Sequence, residues 1–168
     1  SSSSMVASGT AATISGGMKA LLEHPEQLQK LRENPDLAPQ AAREMIRWVS
    51  PVRHMMRTTT EALELRGKSI PAGDSLCLWY PSANRDREVI DNPDTFDIER
   101  DNRNQLAFGY GGHMCLGQHL AILEVELFFR ELLPRLKKLE LAAQPEWVQA
   151  NFVGGLKSMP VRYTFQPA

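Results

Sequence analysis

The sequence predicts an α+β protein, mainly helical, and three observations carry that prediction. Apolar residues recur at helical spacing around Leu21 and Leu22, around Leu28 and Leu31, around Met45, Ile46 and Trp48, and over a long run from Leu116 to Leu132. Between these lies "RTTTEALELRGKSIPAGDSLCLWY", rich in Thr, Leu and other β-formers, which is cut by Arg66-Gly67 and by Pro71-Ala72-Gly73-Asp74 into short antiparallel strands and turns. Finally, 168 residues at 42% hydrophobic and 23% charged are enough for one globular domain with a core.

Taken in order, the chain opens "SSSSMVASGTAATISGGMKALLEHP", which reads as a helix met in mid-course. The expectation is a piece of a longer chain, a single partial domain over 1–168, with 1–17 the remnant of a longer helix or a flexible terminus. Pro25 suits the first turn of a second helix, and "AAREMIRWVSP" gives a third that stops before Pro51. After the strands, residues 81–105 are polar and irregular, with one short helix expected at Arg85 to Ile90; so long a loop in a compact domain is usually functional. The helix after Cys115 is expected to be buried on more than one side until Pro134 ends it, and strands follow in "LKKLELAA" and "KSMPVRYTFQ", with "NFVGG" a turn between them.

A net charge of −1 argues against a nucleic-acid binder, whose affinity needs clustered Lys and Arg. Charges interrupt every apolar run before membrane-span length, so a soluble, cytoplasmic protein is expected. Two cysteines make no disulfide framework. Cys77, inside "SLCLWY", is expected to be a buried small hydrophobe.

Cys115 needs another account. It closes the glycine-rich "FGYGGHMCLG" where a helix begins, and the glycines let backbone approach a bulky partner while the helix start favours a thiolate. A thiolate there can be a nucleophile, a disulfide partner, a metal ligand or the axial ligand of haem. Zinc asks for about four Cys or His ligands, and only His113 and His119 lie near. A nucleophile wants a base and an orienting group; His113 is close, but nothing local supplies the third part. Haem asks for one thiolate, an apolar wall and cations for its propionates, all of which this chain contains.

The loop resembles the haem-binding loop of the cytochrome P450 family, Phe-x-x-Gly-x-x-x-Cys-x-Gly, with Phe108, Gly111, Cys115 and Gly117 in place. Glu44 and Arg47 in "EMIR" match its Glu-x-x-Arg, Arg100 in "FDIER" matches the third member of the charged triad, and "SANRD" is typical of the region between. The resemblance covers most of the chain, corresponds to the C-terminal portion of the P450 fold, and is nearest to soluble bacterial terpene hydroxylases of the α-terpineol type.

That resemblance implies haem b held by Cys115, with Arg57 and His113 on the propionates and Phe108, Gly109 and Gly117 shaping the loop. It implies Val52, Phe152 and Val153 on a small hydrophobic substrate. It implies a monooxygenase using O2, with electrons from NAD(P)H through a ferredoxin reductase and a ferredoxin. Arg130, Arg135, Lys137 and Lys138 are expected to form a basic docking patch. The family's acid–alcohol pair falls near Ser8 and Gly9, with no carboxylate present, and Thr10 is the candidate alcohol. The alternative expectation is therefore a haem-binding or interaction fragment without monooxygenase activity.

Overall fold

A computed structural model describes residues 2–166, with side chains from residue 9 onward. Helix α1 (Ser2–Glu23) runs through the whole opening segment and crosses α3 (Ala38–Val49) at two glycines. A Cβ on Gly16 would lie 2.6 Å from a Val49 methyl, and one on Gly17 would lie 2.7 Å from the Met45 sulfur, so the crossing distance depends on their bareness. Helix α2 (Pro25–Glu33) starts on its proline as expected. Helix α3 ends at Ser50, whose left-handed φ of 43° is supported by a 2.7 Å hydrogen bond from its own hydroxyl to the Arg47 carbonyl. Helix α5 (Gln118–Leu132) packs on α3 and α1, and Leu21, Met45, Ile46, Phe96, Ile98, Ile122, Val125 and Phe129 make the heart of the core.

The strands form four separate two-stranded antiparallel sheets among the described residues. β1 (His54–Thr58) pairs with β4 (Ser75–Trp79), and β2 (Leu63–Leu65) with β3 (Lys68–Ile70). β5 (Leu136–Leu141) pairs with β8 (Val161–Phe165), and β6 (Glu146–Trp147) with β7 (Leu156–Ser158). The β2–β3 turn puts both Arg66 (φ 49°) and Gly67 (φ 75°) in the left-handed region, which suits the right-handed twist of a tight hairpin.

Three expectations need correction. The short helix expected at Arg85 to Ile90 is instead α4 (Tyr80–Ala83), begun by Pro81. Residues 85–90 form turns, because the Asp86 carboxylate accepts from the Glu88 amide at 2.9 Å and competes with helical bonding. Cys77 is exposed rather than buried, since β4 has one partner strand and Cys77 shares its outer face with Met56. Helix α5 buries one side only, through Ile122, Val125 and Phe129, while Leu120, Leu123 and Leu127 continue a bare stripe from Leu116. No helix among the described residues is long and apolar enough to cross a membrane.

Candidate functional site

The three charged residues picked out by the resemblance meet under the core. Glu44 and Arg47 stand three apart on α3, both fully buried, and pair twice at 2.7 Å, Nε with one carboxylate oxygen and Nη2 with the other. Arg47 also donates to the carbonyls of Asn84 (2.8 Å), Pro93 (2.9 Å) and Thr95 (3.3 Å). The Nε of Arg100 reaches both Glu44 oxygens at 3.4 Å, and its remaining donors take the carbonyls of Asp91, Asn92 and Thr95. One carboxylate and two guanidiniums thus gather the irregular 84–100 segment, adding polar ties to the apolar anchors Ile90, Pro93, Phe96 and Ile98. Arg85 lies 4.5 Å above the Trp48 ring, and burial, then the neighbouring Arg47, pulls its pKa below the ordinary guanidinium value.

From that frame a second network reaches the cysteine loop. Asn84, completely buried, donates to the Ser50 hydroxyl at 2.8 Å and accepts from the Leu106 amide at 2.7 Å. Sequence reasoning noticed Asn84 only as part of "SANRD"; its side chain ties the end of α3 to the start of the loop. Tyr80 was missed as well. Its amide donates to the Arg53 carbonyl at 2.9 Å, and its hydroxyl would stand 3.1 Å from a Cβ on Gly109. Tyr80 therefore joins the β1–β4 hairpin to the loop, and an aromatic that follows a strand gives little sign of this in the sequence.

The loop itself is pinned at both ends. The Gly109 amide bonds the Leu106 carbonyl at 2.9 Å, and the Cys115 amide bonds the Phe108 carbonyl at 2.9 Å. Gly109 (φ 76°) and Gly111 (φ 68°) supply the left-handed bends. Phe108 packs against the core, His113 ends a single 3₁₀ turn (Gly111–His113), and Gly117 stands as N-cap of α5. The Cys115 thiol is half-buried and unpaired at the head of that helix, where amides favour negative charge.

Val52 and Val153 form an isolated antiparallel bridge, flanked by bonds from the Arg53 amide to the Phe152 carbonyl (2.8 Å) and from the Gly154 amide to the Pro51 carbonyl (2.7 Å). The three substrate-wall candidates are therefore adjacent. The same turn abuts α1, where Gly155 leaves only 2.7 Å between an added Cβ and that of Ala12, two residues beyond Thr10. The Thr10 hydroxyl is buried without a partner among the described residues.

These residues fit a haem. Arg57 on β1 spends one donor on the Met56 carbonyl at 2.8 Å and faces no carboxylate among the described residues, and His113 likewise has no side-chain partner there. Two basic groups without protein anions among the described residues, an unpaired half-buried thiol and an aromatic residue in the same loop are the kinds of group that two propionates and an iron-binding sulfur would need. The basic docking patch does not fit. Arg130 pairs with Glu126 (3.3 Å) and Asp36 (3.7 Å), Arg135 with Glu131 (2.7 Å) and Lys138 with Glu140 (2.8 Å), so three of the four cations are neutralised within the chain. Of these anions only Asp36 is distant in sequence; Glu126 and Glu131 stand four residues before their cations, a helical spacing that signals the pairing.

Comparison with known proteins points the same way as the geometry. Residues 7–157 match the family model described as Cytochrome P450. The chain is 50% identical over 155 residues to Cytochrome P450-terp from Pseudomonas sp, covering 92% of this chain and 36% of that protein. It is 39% identical over 149 residues to linalool 8-monooxygenase from Pseudomonas putida, covering 89% and 37%. The crystal structure of CYP108D1 from Novosphingobium aromaticivorans superposes with a TM-score of 0.89 at 42% identity, over 94% of this chain and 38% of that one. The chain thus spans a little over a third of the length of these relatives. On the family match, the relatives and the shared fold together, the chain belongs to the cytochrome P450 family.

Proposed function

We propose that the chain is the haem-bearing part of a cytoplasmic haem-thiolate monooxygenase acting on a small hydrophobic substrate such as a terpenoid. The observation that carries the reading is the half-buried, unpaired Cys115 thiol, set at the head of α5 by the bond between its own amide and Phe108. The group is iron protoporphyrin IX, which when bound supplies the activation of O2 that places one oxygen atom in a C–H bond. Cys115 would hold its iron through the thiolate, whose charge the α5 amides would steady. Arg57 and His113 hold the propionates, Phe108 keeps water from the sulfur, and Gly109 and Gly117 allow the backbone to lie close. Val52, Phe152 and Val153 orient the substrate and keep its surroundings dry. Electrons come from NAD(P)H through a ferredoxin reductase and a ferredoxin. The linalool 8-monooxygenase among the relatives supports the terpenoid class.

The test is spectroscopic, on the full-length protein loaded with haem. The reduced carbon monoxide complex should show the red-shifted Soret band of thiolate ligation; Cys115→Ser should abolish it and Cys77→Ser should leave it. Equal loss in both variants overturns the assignment.

A second reading, haem binding with little oxygenation, is favoured by one observation. Thr10 has a buried hydroxyl without a partner among the described residues, and it follows Gly9, which has no side chain to relay a proton and open space where one would stand. Under this reading the carbon monoxide band persists, while most of the electrons drawn from NAD(P)H appear as reduced oxygen rather than as hydroxylated product.

A further inference from the structure

We propose that Arg53 is a specificity-determining residue: its guanidinium takes the carboxylate of a substrate whose remainder is apolar. This rests on the reading of Val52, Phe152 and Val153 as substrate wall, and it narrows the small hydrophobic substrate to an acid. The Arg53 amide donates to the Phe152 carbonyl at 2.8 Å, and its carbonyl accepts from the Tyr80 amide at 2.9 Å, so the backbone is held from both sides. The second bond carries the β1–β4 ladder one residue past the His54–Trp79 pair, and alternation then sets Arg53 on the side of Met55 and Arg57, away from His54 and Met56. Arg57 stands four positions along that side, about 13 Å away, which leaves a propionate to it and sets Arg53 beside the turn. The guanidinium lies against Gly154, where an added Cβ would meet Nε and Nη2 and stand 2.7 Å from Cζ.

Gly154 also borders an open hollow of about 660 Å³ between the turn and α1, lined largely by Ala11, Ala12, Val153, Leu156 and Met159. The apolar body of a substrate has room there, one glycine away from the cation. Lys157, which lines the same hollow, is matched by Glu146 at 3.3 Å. Arg53 is half-buried, and its guanidinium has neither a carboxylate nor a carbonyl partner among the described residues. Arg85, Arg100 and Arg130, equally half-buried, each meet a carboxylate, at 4.0, 3.4 and 3.3 Å. Covering guanidinium donors without acceptors costs free energy, so a chain that matches these other arginines leaves Arg53 for an anion from outside. A carboxylate accepts two parallel N–H bonds from the guanidinium fork, which a hydroxyl cannot do, so the site separates an acid from the corresponding alcohol.

The experiment uses the full-length haem-loaded protein at neutral pH with two probes of one skeleton, geranate and geraniol, titrated by the spectral shift that substrate causes. Wild type should bind the acid roughly tenfold to a hundredfold more tightly, the range that charge-assisted hydrogen bonds supply. Arg53→Met should erase that preference while leaving geraniol affinity within about twofold, and Arg53→Lys, which keeps the charge without the fork, should restore part of it. Gly154→Ala, which displaces the guanidinium and leaves its charge, should weaken geranate and spare geraniol. Equal affinity for both probes in wild type, an unchanged ratio in Arg53→Met, or no shift with either probe overturns the proposal; an unchanged ratio together with faster haem loss reassigns the cation to a propionate. The carbon monoxide band separates the two levels: its retention in Arg53→Met confines any failure to this residue, whereas its absence from wild type sinks the haem reading and this one with it.

Discussion

Replacing Asn84 with leucine keeps the branched outline of the side chain and removes both of its polar atoms. The Leu106 amide, now bonded at 2.7 Å, would be left part-buried without an acceptor, at a cost of about 1–3 kcal/mol. The Ser50 hydroxyl would lose the donor at 2.8 Å but keep its own bond to Arg47, costing about 0.5–1.5 kcal/mol. The sum, about 1.5–4.5 kcal/mol, falls on the joint between α3 and the cysteine loop and not on the α1–α3–α5 core. Amide hydrogen exchange on the full-length haem-loaded protein reads this locally. At the lower limit of about 1.5 kcal/mol, the amides of Leu106 and its neighbours should exchange roughly tenfold faster, with Val125 and Phe129 in α5 unchanged. Unchanged protection at Leu106, or an equal loss throughout α5, would refute the claim that Asn84 acts as a local tie.

Other substitutions probe the frame and the loop. Glu44→Gln removes the one negative charge between the buried Arg47 guanidinium and the part-buried Arg100 and should destabilise by about 3–5 kcal/mol in urea unfolding; a loss below about 1 kcal/mol would mean the surrounding carbonyls already compensate both cations. Gly109→Ala forces a side chain into φ 76° against the Tyr80 hydroxyl and should cost about 1–2 kcal/mol, of which Tyr80→Phe in the same chain should return the contact part and leave the backbone part. Gly17→Val meets Met45 across the α1–α3 crossing and should lower stability by about 1–3 kcal/mol, measured by thermal unfolding, whereas the same change at Gly9, which faces open space, should cost far less.

Local chemistry made much of this legible. Pro25, Pro51 and Pro134 punctuate the helices as written, and the Arg66-Gly67 turn lies where the dipeptide placed it. The cysteine loop was visible because glycines at left-handed positions and an unpaired thiol before an apolar helix are all local signals. What sequence hid depends on distant partners. Cys77 reads as a core residue because β4 is apolar from Leu76 to Trp79, yet which face of a two-stranded sheet is covered is settled elsewhere. Arg130 and Arg135, by contrast, have their anions Glu126 and Glu131 four residues back, where the sequence itself spells the pairing. Asn84 and Tyr80 are ordinary residue types at unremarkable spacings, and only the fold discloses what each one touches.

The row Leu116, Leu120, Leu123, Leu127 climbs α5 in steps of four, three and four, the rhythm with which helices wind together. Expressed by themselves, these 168 residues would present that greasy ridge to water and adhere to one another or to any oily surface offered. Scattering that grows with protein concentration, and that subsides when Leu120 and Leu127 are made glutamate, would be its solution signature.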